Sequence, residues 1–426
     1  MLGILIGVLF VGLFLTVPIA LSLAIATLVV FMVEFPGTPM VNNLAQAMLV
    51  SADSFPLMAI PFFMLMGTLM EKTGLAKRLI DIAELMTEGQ AGGLGITVII
   101  ASVFFATVSG SGPATAAAIG AIMLPAMATQ GYDKPYSTSL VAAASIIGPI
   151  IPPSIPLIMY GVTVGVSVTQ LFVGGIIPGL LMAGTLIGYN YVTSHKRGYR
   201  SVAVPRTSDE KRKVLVQGLG ALGMPLVVLG GIYGGIFTPT ESAVVGVMYT
   251  LIFGLVAREL SFKRFKEATV DAAVTASTVM ILFGPATTFG RLLTLGRVPE
   301  QLTYFMTNLT DSPLVVLLLT NVMLIVMGMF IDTISAIMLT APLFAPLLIS
   351  FGYDPIFIGV VIVVNLCIGM ITPPLSANMF VAMRIGGTRF EETVKEIFPM
   401  LLALLITLVL MLTFPGIITF LPNLFF

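Results

Sequence analysis

Apolar runs separated by short polar stretches fill this chain, and the runs are of two kinds. Those at 168–191, 214–235, 273–293 and 398–421 each have the roughly 20 residues a helix needs to cross a bilayer core. Shorter runs come in pairs around helix breakers. Residues 94–107 and 116–128 flank Ser109-Gly110-Ser111-Gly112-Pro113-Ala114-Thr115. That pattern predicts a re-entrant hairpin at about 92–128 with a small, polar tip deep in the lipid zone. Irregular backbone persists there only where protein or a watery cavity surrounds it. Residues 313–350 predict a second hairpin, its tip at Phe330-Ile331-Asp332-Thr333. Two more runs, 137–162 and 356–383, are predicted to cross but to break at 148–154 and 369–374. Crossings are also expected at 1–16, 19–33, 55–70 and 242–257. Residues 38–54 read as an interfacial amphipathic segment. Residues 71–90, 195–213 and 261–271 read as charged surface.

One offset relates the two halves. Gly131-Tyr132-Asp133 falls on Gly352-Tyr353-Asp354 (352 − 131 = 221), and Gly148, Ile150, Pro152 and Pro153 fall on Gly369, Ile371, Pro373 and Pro374. Ser111 falls on Asp332. The expected architecture is an all-α polytopic membrane protein of two repeats, 1–194 and 214–426, joined by a cytoplasmic linker at 195–213. Each repeat has about five crossings and one hairpin. An odd number of crossings inverts the second repeat relative to the first, a plan common among transporters. Lys72, Lys77, Arg78, the 195–213 linker, the 258–266 patch, Arg384, Arg389 and Lys395 all fall on one side. The positive-inside rule makes that side the cytoplasm. Residues 1–16 lack a basic leader region and are expected to stay as a helix.

Composition sharpens this picture. The 426 residues are 57% hydrophobic and 9% charged, against about 25% charged in soluble chains. Lys+Arg and Asp+Glu are 20 each, so no nucleic-acid partner is expected. The one cysteine, Cys367, lies in an apolar run and reads as a buried hydrophobe. The one histidine, His195, reads as a solvated loop residue. No His or Cys cluster and no Ser/His pairing supports an enzyme, and no organic cofactor is expected.

The chemistry then lies in the four breaks. Proline removes an amide donor and frees a carbonyl four residues upstream, and unwound carbonyls and hydroxyls coordinate sodium in broken-helix transporters. Helix N-termini suit a carboxylate. One sodium site is expected from Ser109, Ser111, Gly148, Ile151 and Pro152, and a second from Asp332, Gly369, Thr372 and Pro373. Asp332 is the clearest intramembrane carboxylate, functional by default. Glu241, in Thr238-Pro239-Thr240-Glu241, reads as a helix cap rather than a proton carrier. With so few titratable groups, sodium coupling is favoured over a proton relay. A bland reading stands beside all this: small residues also simply let helices pack closely.

The motifs Ser51-Ala52-Asp53-Ser54-Phe55-Pro56-Leu57, Ser109 through Thr115, Gly148-Pro149-Ile150-Ile151-Pro152-Pro153-Ser154, Phe237-Thr238-Pro239-Thr240-Glu241-Ser242 and Gly328-Met329-Phe330-Ile331-Asp332 together resemble the large membrane subunit of tripartite ATP-independent periplasmic (TRAP) transporters. The resemblance implies a sodium-driven importer of organic acids in the bacterial inner membrane, with hairpins and broken helices moving as an elevator against a scaffold. It implies about two or more sodium ions. It also implies two partners, a small four-helix membrane subunit and a soluble periplasmic substrate-binding protein. The substrate would lie between the hairpin tips, near Ser111, Thr115, Ser154, Asp332 and Ser335. Among the family's organic acids the likeness points to sialic acid. A stand-alone sodium-coupled dicarboxylate transporter, needing no binding protein, is the alternative.

Overall fold

The computed structural model describes residues 1–34, 45–46, 48, 50, 53–200 and 207–426. Among them it holds helices and no strand beyond a single bridge, Ala91 to Arg200. The expected interfacial segment at 38–54 lies for the larger part outside the described residues.

In the first half the helices are α1 (Leu2–Phe14), α2 (Ile19–Glu34), α3 (Ala59–Lys72), α4 (Leu75–Thr87), α5 (Gly93–Ser109), α6 (Gly112–Thr129), α7 (Lys134–Ser145), α8 (Ile155–Val164) and α9 (Val168–Arg197). The second half has α10 (Ser208–Tyr233), α11 (Pro239–Val256), α12 (Phe262–Leu295), α13 (Val298–Leu309), α14 (Pro313–Phe330), α15 (Thr333–Ser350), α16 (Pro355–Gly369), α17 (Ala377–Gly386), α18 (Phe390–Thr413) and α19 (Gly416–Phe425). The 221 offset aligns α4 through α8 with α13 through α17 to within about three residues. Helices α6 and α15 both have 18 residues and share start and end in this register (333 − 112 = 221; 350 − 129 = 221). The Pro152-Pro153 and Pro373-Pro374 bonds are both cis. Among the described residues nine helices are long and apolar enough to cross a membrane.

Local chemistry sets the ends. Thr207 and Thr238 each form a capping box, with Glu210 and Glu241, which satisfies orphan amides at both edges of the cap. Ser167, Ser261 and Asp354 cap α9, α12 and α16. The repeated Gly-Tyr-Asp turns on Gly131 and Gly352, both at left-handed φ, +80 and +88. That conformation is open to glycine without penalty.

Five expectations need correction. Residues 71–90 are not simply exposed: α4 buries Leu75, Leu79, Ile80 and Ala83 and packs on α5 and α10. Its polar positions had hidden a one-sided apolar stripe. Residues 261–271 are not a separate surface piece but the first turns of α12, a continuous 34-residue helix. The linker is shorter than 195–213, since α9 runs through His195 to Arg197 and α10 begins at Ser208. The run at 398–421 is two helices, parted at Phe414-Pro415, where proline cannot continue the ladder. Helix α1 has only 13 residues, about 20 Å, short of the roughly 30 Å core; it folds back on α2, with Met1 beside Glu34.

Packing sorts the helices into two groups. Helices α2, α3, α11 and α12 pack on one another, and α10 lies against α11. Both hairpins, both broken helices, α9, α18 and α19 form the other group. The groups meet where α3 lies against α5 and α12 against α15. Amphipathic α4 and α13, repeat mates, lie on the first and second hairpin respectively. Most ion pairs of the described residues gather at the basic end, among them Arg78–Glu259 at 2.6 Å, Lys72–Asp271 at 3.6 Å and Arg197–Glu396 at 2.9 Å.

Candidate functional site

Both hairpin tips, the first break and the frame helices line an open cavity of about 240 Å³. Ser109, Ser111 and Ala114 line it from the first tip, Asp332 and Ile334 from the second, and Pro149 and Pro156 from the break. Helices α3 and α12 add Thr68, Glu71, Thr275 and Val279. Glu71 was read as outlying surface charge; it stands instead at this cavity. Glu71 and Asp332 are its charged lining residues, and no Lys, Arg or His lines it among the described residues. The neighbouring Lys72 turns to Asp271 instead.

The first tip and first break converge on oxygen atoms. Ser109 Oγ lies 3.0 Å from Thr115 Oγ1, and Thr115 Oγ1 donates to the Ser111 carbonyl at 2.7 Å. Gly148 meets this group face to face. A Cβ there would stand 2.6 Å from Thr115 Oγ1, 3.0 Å from the Ser111 carbonyl oxygen and 3.1 Å from that of Ser145. Glycine is thus required for the approach, and neutral oxygens so gathered fit a hard cation. Other parts of the first break make further contacts. The Ile151 side chain packs on Gly179, and Pro153, rather than Pro152, brings its carbonyl toward Gly110.

The second tip is built otherwise. Asp332 is the N-cap of α15 and accepts from the Ser335 amide at 3.1 Å. Thr333 Oγ1 approaches Met370 Sδ at 2.8 Å, tying the tip to the second break. Gly369 packs on Gly328, where a Cβ would meet backbone at 2.6 Å. The Thr372 hydroxyl donates to the Ile368 carbonyl at 2.8 Å.

Of the expected substrate contacts, Ser111 and Asp332 line the cavity. Thr115, Ser154 and Ser335 are buried behind it. Ser154 caps α8 and donates to the Pro149 carbonyl. Sequence reasoning missed three buried amides. Asn378 of α17 reaches across to the first tip, donates to Ser145 Oγ at 2.8 Å and leaves its Oδ1 unpaired against Gly112. Asn365 and Asn321 pair at 2.5 Å between α16 and α14. Their signal was an amide inside an apolar run, which is costly unless paired.

A family profile described as "Tripartite ATP-independent periplasmic transporter, DctM component" matches residues 6–417. The chain belongs to this family. TRAP permeases in several bacteria are similar to it. The isethionate TRAP transporter permease protein DctMQ of Oleidesulfovibrio alaskensis is 41% identical over 93% of this chain and 62% of its own length. The sialic acid TRAP transporter permease protein SiaT of Haemophilus influenzae is 38% identical over 96% of this chain and 66% of its own. The chain therefore spans about two thirds of those two relatives. The sialic acid TRAP transporter large permease protein SiaM of Vibrio cholerae is 35% identical and matches over 98% of this chain and 97% of its own. In fold, this DctM-family chain is similar to the Alcanivorax borkumensis YdaH transporter, with TM-score 0.71 at 17% identity over 93% of this chain and 96% of that one. A TRAP permease is a transport protein of the membrane, and this chain is a multi-pass one.

Proposed function

We propose that this chain is the membrane-embedded transport subunit of a sodium-coupled importer of small organic anions in a bacterial cytoplasmic membrane. The observation that carries the reading is the charge of the cavity between the hairpin tips. Two carboxylates and no cationic side chain line it among the described residues. An anion enters a site lined by two carboxylates only with a cation beside it, because like charges repel. The oxygen cluster at Ser109, Ser111, Thr115 and Gly148 is where the first sodium would bind. Asp332 then serves a cation or helix α15, not the substrate's carboxylate, which it repels. The amides opening α6, beside Ser111, offer the anion a partial positive charge.

The hairpins and broken helices form one body that moves against α3, α10, α11 and α12, as an elevator. A small membrane subunit and a periplasmic binding protein complete the transporter. Relatives named for isethionate, sialic acid and C4-dicarboxylates support a substrate class of small organic acids with carboxylate or sulfonate groups. The test is uptake into proteoliposomes holding this chain and its small subunit. Labelled isethionate, sialic acid and a C4-dicarboxylate are offered under an inward sodium gradient, with and without the binding protein. The expected result is uptake of one of them that needs both sodium and the binding protein. Uptake indifferent to sodium would overturn the coupling, and uptake without the binding protein would favour a stand-alone transporter.

A further inference from the structure

A second cavity, of about 800 Å³, lies against the other end of α12. Arg291 lines it, with Thr287 and Thr294 one turn to either side and Thr163 of α8 facing them. Helix α12 starts in the basic patch of Lys263, Arg264 and Lys266. Arg291 is 27 residues beyond Arg264, or about 41 Å at 1.5 Å per residue. That exceeds the roughly 30 Å hydrocarbon core, so Arg291 sits at the face opposite the basic patch. Thr275 and Val279, which line the hairpin-tip cavity, fall between. The two cavities thus stand in series along one helix. At the wall of the second cavity α12 closes on α15, where a Cβ on Gly290 would lie 3.4 Å from Pro342.

Among the described residues no hydrogen bond or ion pair partners the Arg291 guanidinium. An arginine at that end of a spanning helix stands outside the hydrocarbon core with its guanidinium in water, where it can meet an anion entering the open cavity. Its planar fork matches a carboxylate, sulfonate or phosphate bidentately. We propose that this cavity is an outer vestibule in which Arg291 recruits the organic anion before it reaches the hairpin tips. The proposal rests on the organic-anion reading above. It adds a subsite and a residue, and its field raises the local anion concentration. A phospholipid headgroup would offer Arg291 the same anionic chemistry, and the experiment separates the two.

Thr294→Cys is introduced into the full chain, reconstituted with its small subunit in vesicles that expose the outer face. Cys367 is fully buried, so the parent chain is the blank. Rates of modification by an anionic sulfonatoethyl and a cationic trimethylammonioethyl methanethiosulfonate are compared with Arg291 intact, as Arg291→Gln and as Arg291→Lys. The expected result is that Arg291→Gln lowers the anionic-to-cationic rate ratio about sevenfold, the effect of a unit charge about 7 Å away in a watery cavity. Arg291→Lys should restore the ratio, while a neutral thiosulfonate should react equally in all three. A ratio indifferent to position 291 overturns the proposal. Failure of every water-soluble reagent to react also overturns it, in favour of a lipid-filled cleft. None of these readouts needs transport, so failure of the importer reading would show separately.

Discussion

Asp332 has two roles that a single substitution pulls apart. It caps α15 through the Ser335 amide and it lines the cavity between the tips. Asparagine is as good an N-cap as aspartate but carries no charge. Asp332→Asn is therefore expected to keep the thermal unfolding midpoint and to lose sodium-dependent uptake, whereas Asp332→Ala loses the cap as well, at about 1 kcal/mol. Normal sodium activation in the Asn variant would leave Asp332 a cap alone. Glu241 is the opposite case. Its carboxylate holds the Thr238 amide at 2.8 Å and is exposed. Glu241→Gln, which still accepts that bond, is expected to leave uptake and its pH profile unchanged; a shifted profile would restore the proton-carrier role. The cap at Glu241 was legible because a capping box is written within four consecutive residues. The cap at Asp332 sits at the same local range, but in a deep hairpin a carboxylate reads first as chemistry. Asn378 and Glu71 were not legible as site neighbours, since their positions depend on how α17 and α3 cross the first hairpin.

At the scale of elements the breaks carry the argument. Gly148 lets the first break approach the first tip, and Gly148→Ala would put a methyl group among three oxygens 2.6 to 3.1 Å away. The expected outcome is folded protein whose half-saturating sodium concentration for uptake rises several-fold or more. Sodium activation like that of the parent would move the first cation site elsewhere. Hairpins and breaks could be read from the sequence because paired short apolar runs around Gly, Ser and Pro have no other place in a membrane. Helix α12 was misread because its first turns are charged, and charge marks where a helix leaves the lipid, not where it starts. Helix α13 went unpredicted, and α4 was taken for plain surface, because a stripe of apolar residues among polar ones shows only against the hairpin it covers.

Across the whole molecule, the 221 offset announced two repeats, but not which helices would pack into which group. That sorting emerges from contacts: frame helices around α3, α11 and α12, and hairpins with their broken helices in one body. The two cavities on α12 then divide the molecule by access, one between the hairpin tips and one at the end opposite the basic patch. Charge follows the same axis, with the networks of Arg78, Lys72 and Arg197 on the basic side and Arg291 on the other.

The join between the two repeats has one more consequence. On one side Arg200 is pinned to Ala91, and Tyr199 stacks on Tyr132 at 4.5 Å while its hydroxyl donates to Asp133. On the other side Thr207 caps α10. Seven residue steps separate Arg200 from Thr207, and a chain covers at most about 3.6 Å per step. The two anchors can therefore never stand more than about 25 Å apart. Any displacement of the Arg200 anchor relative to the start of α10 therefore stays within that length.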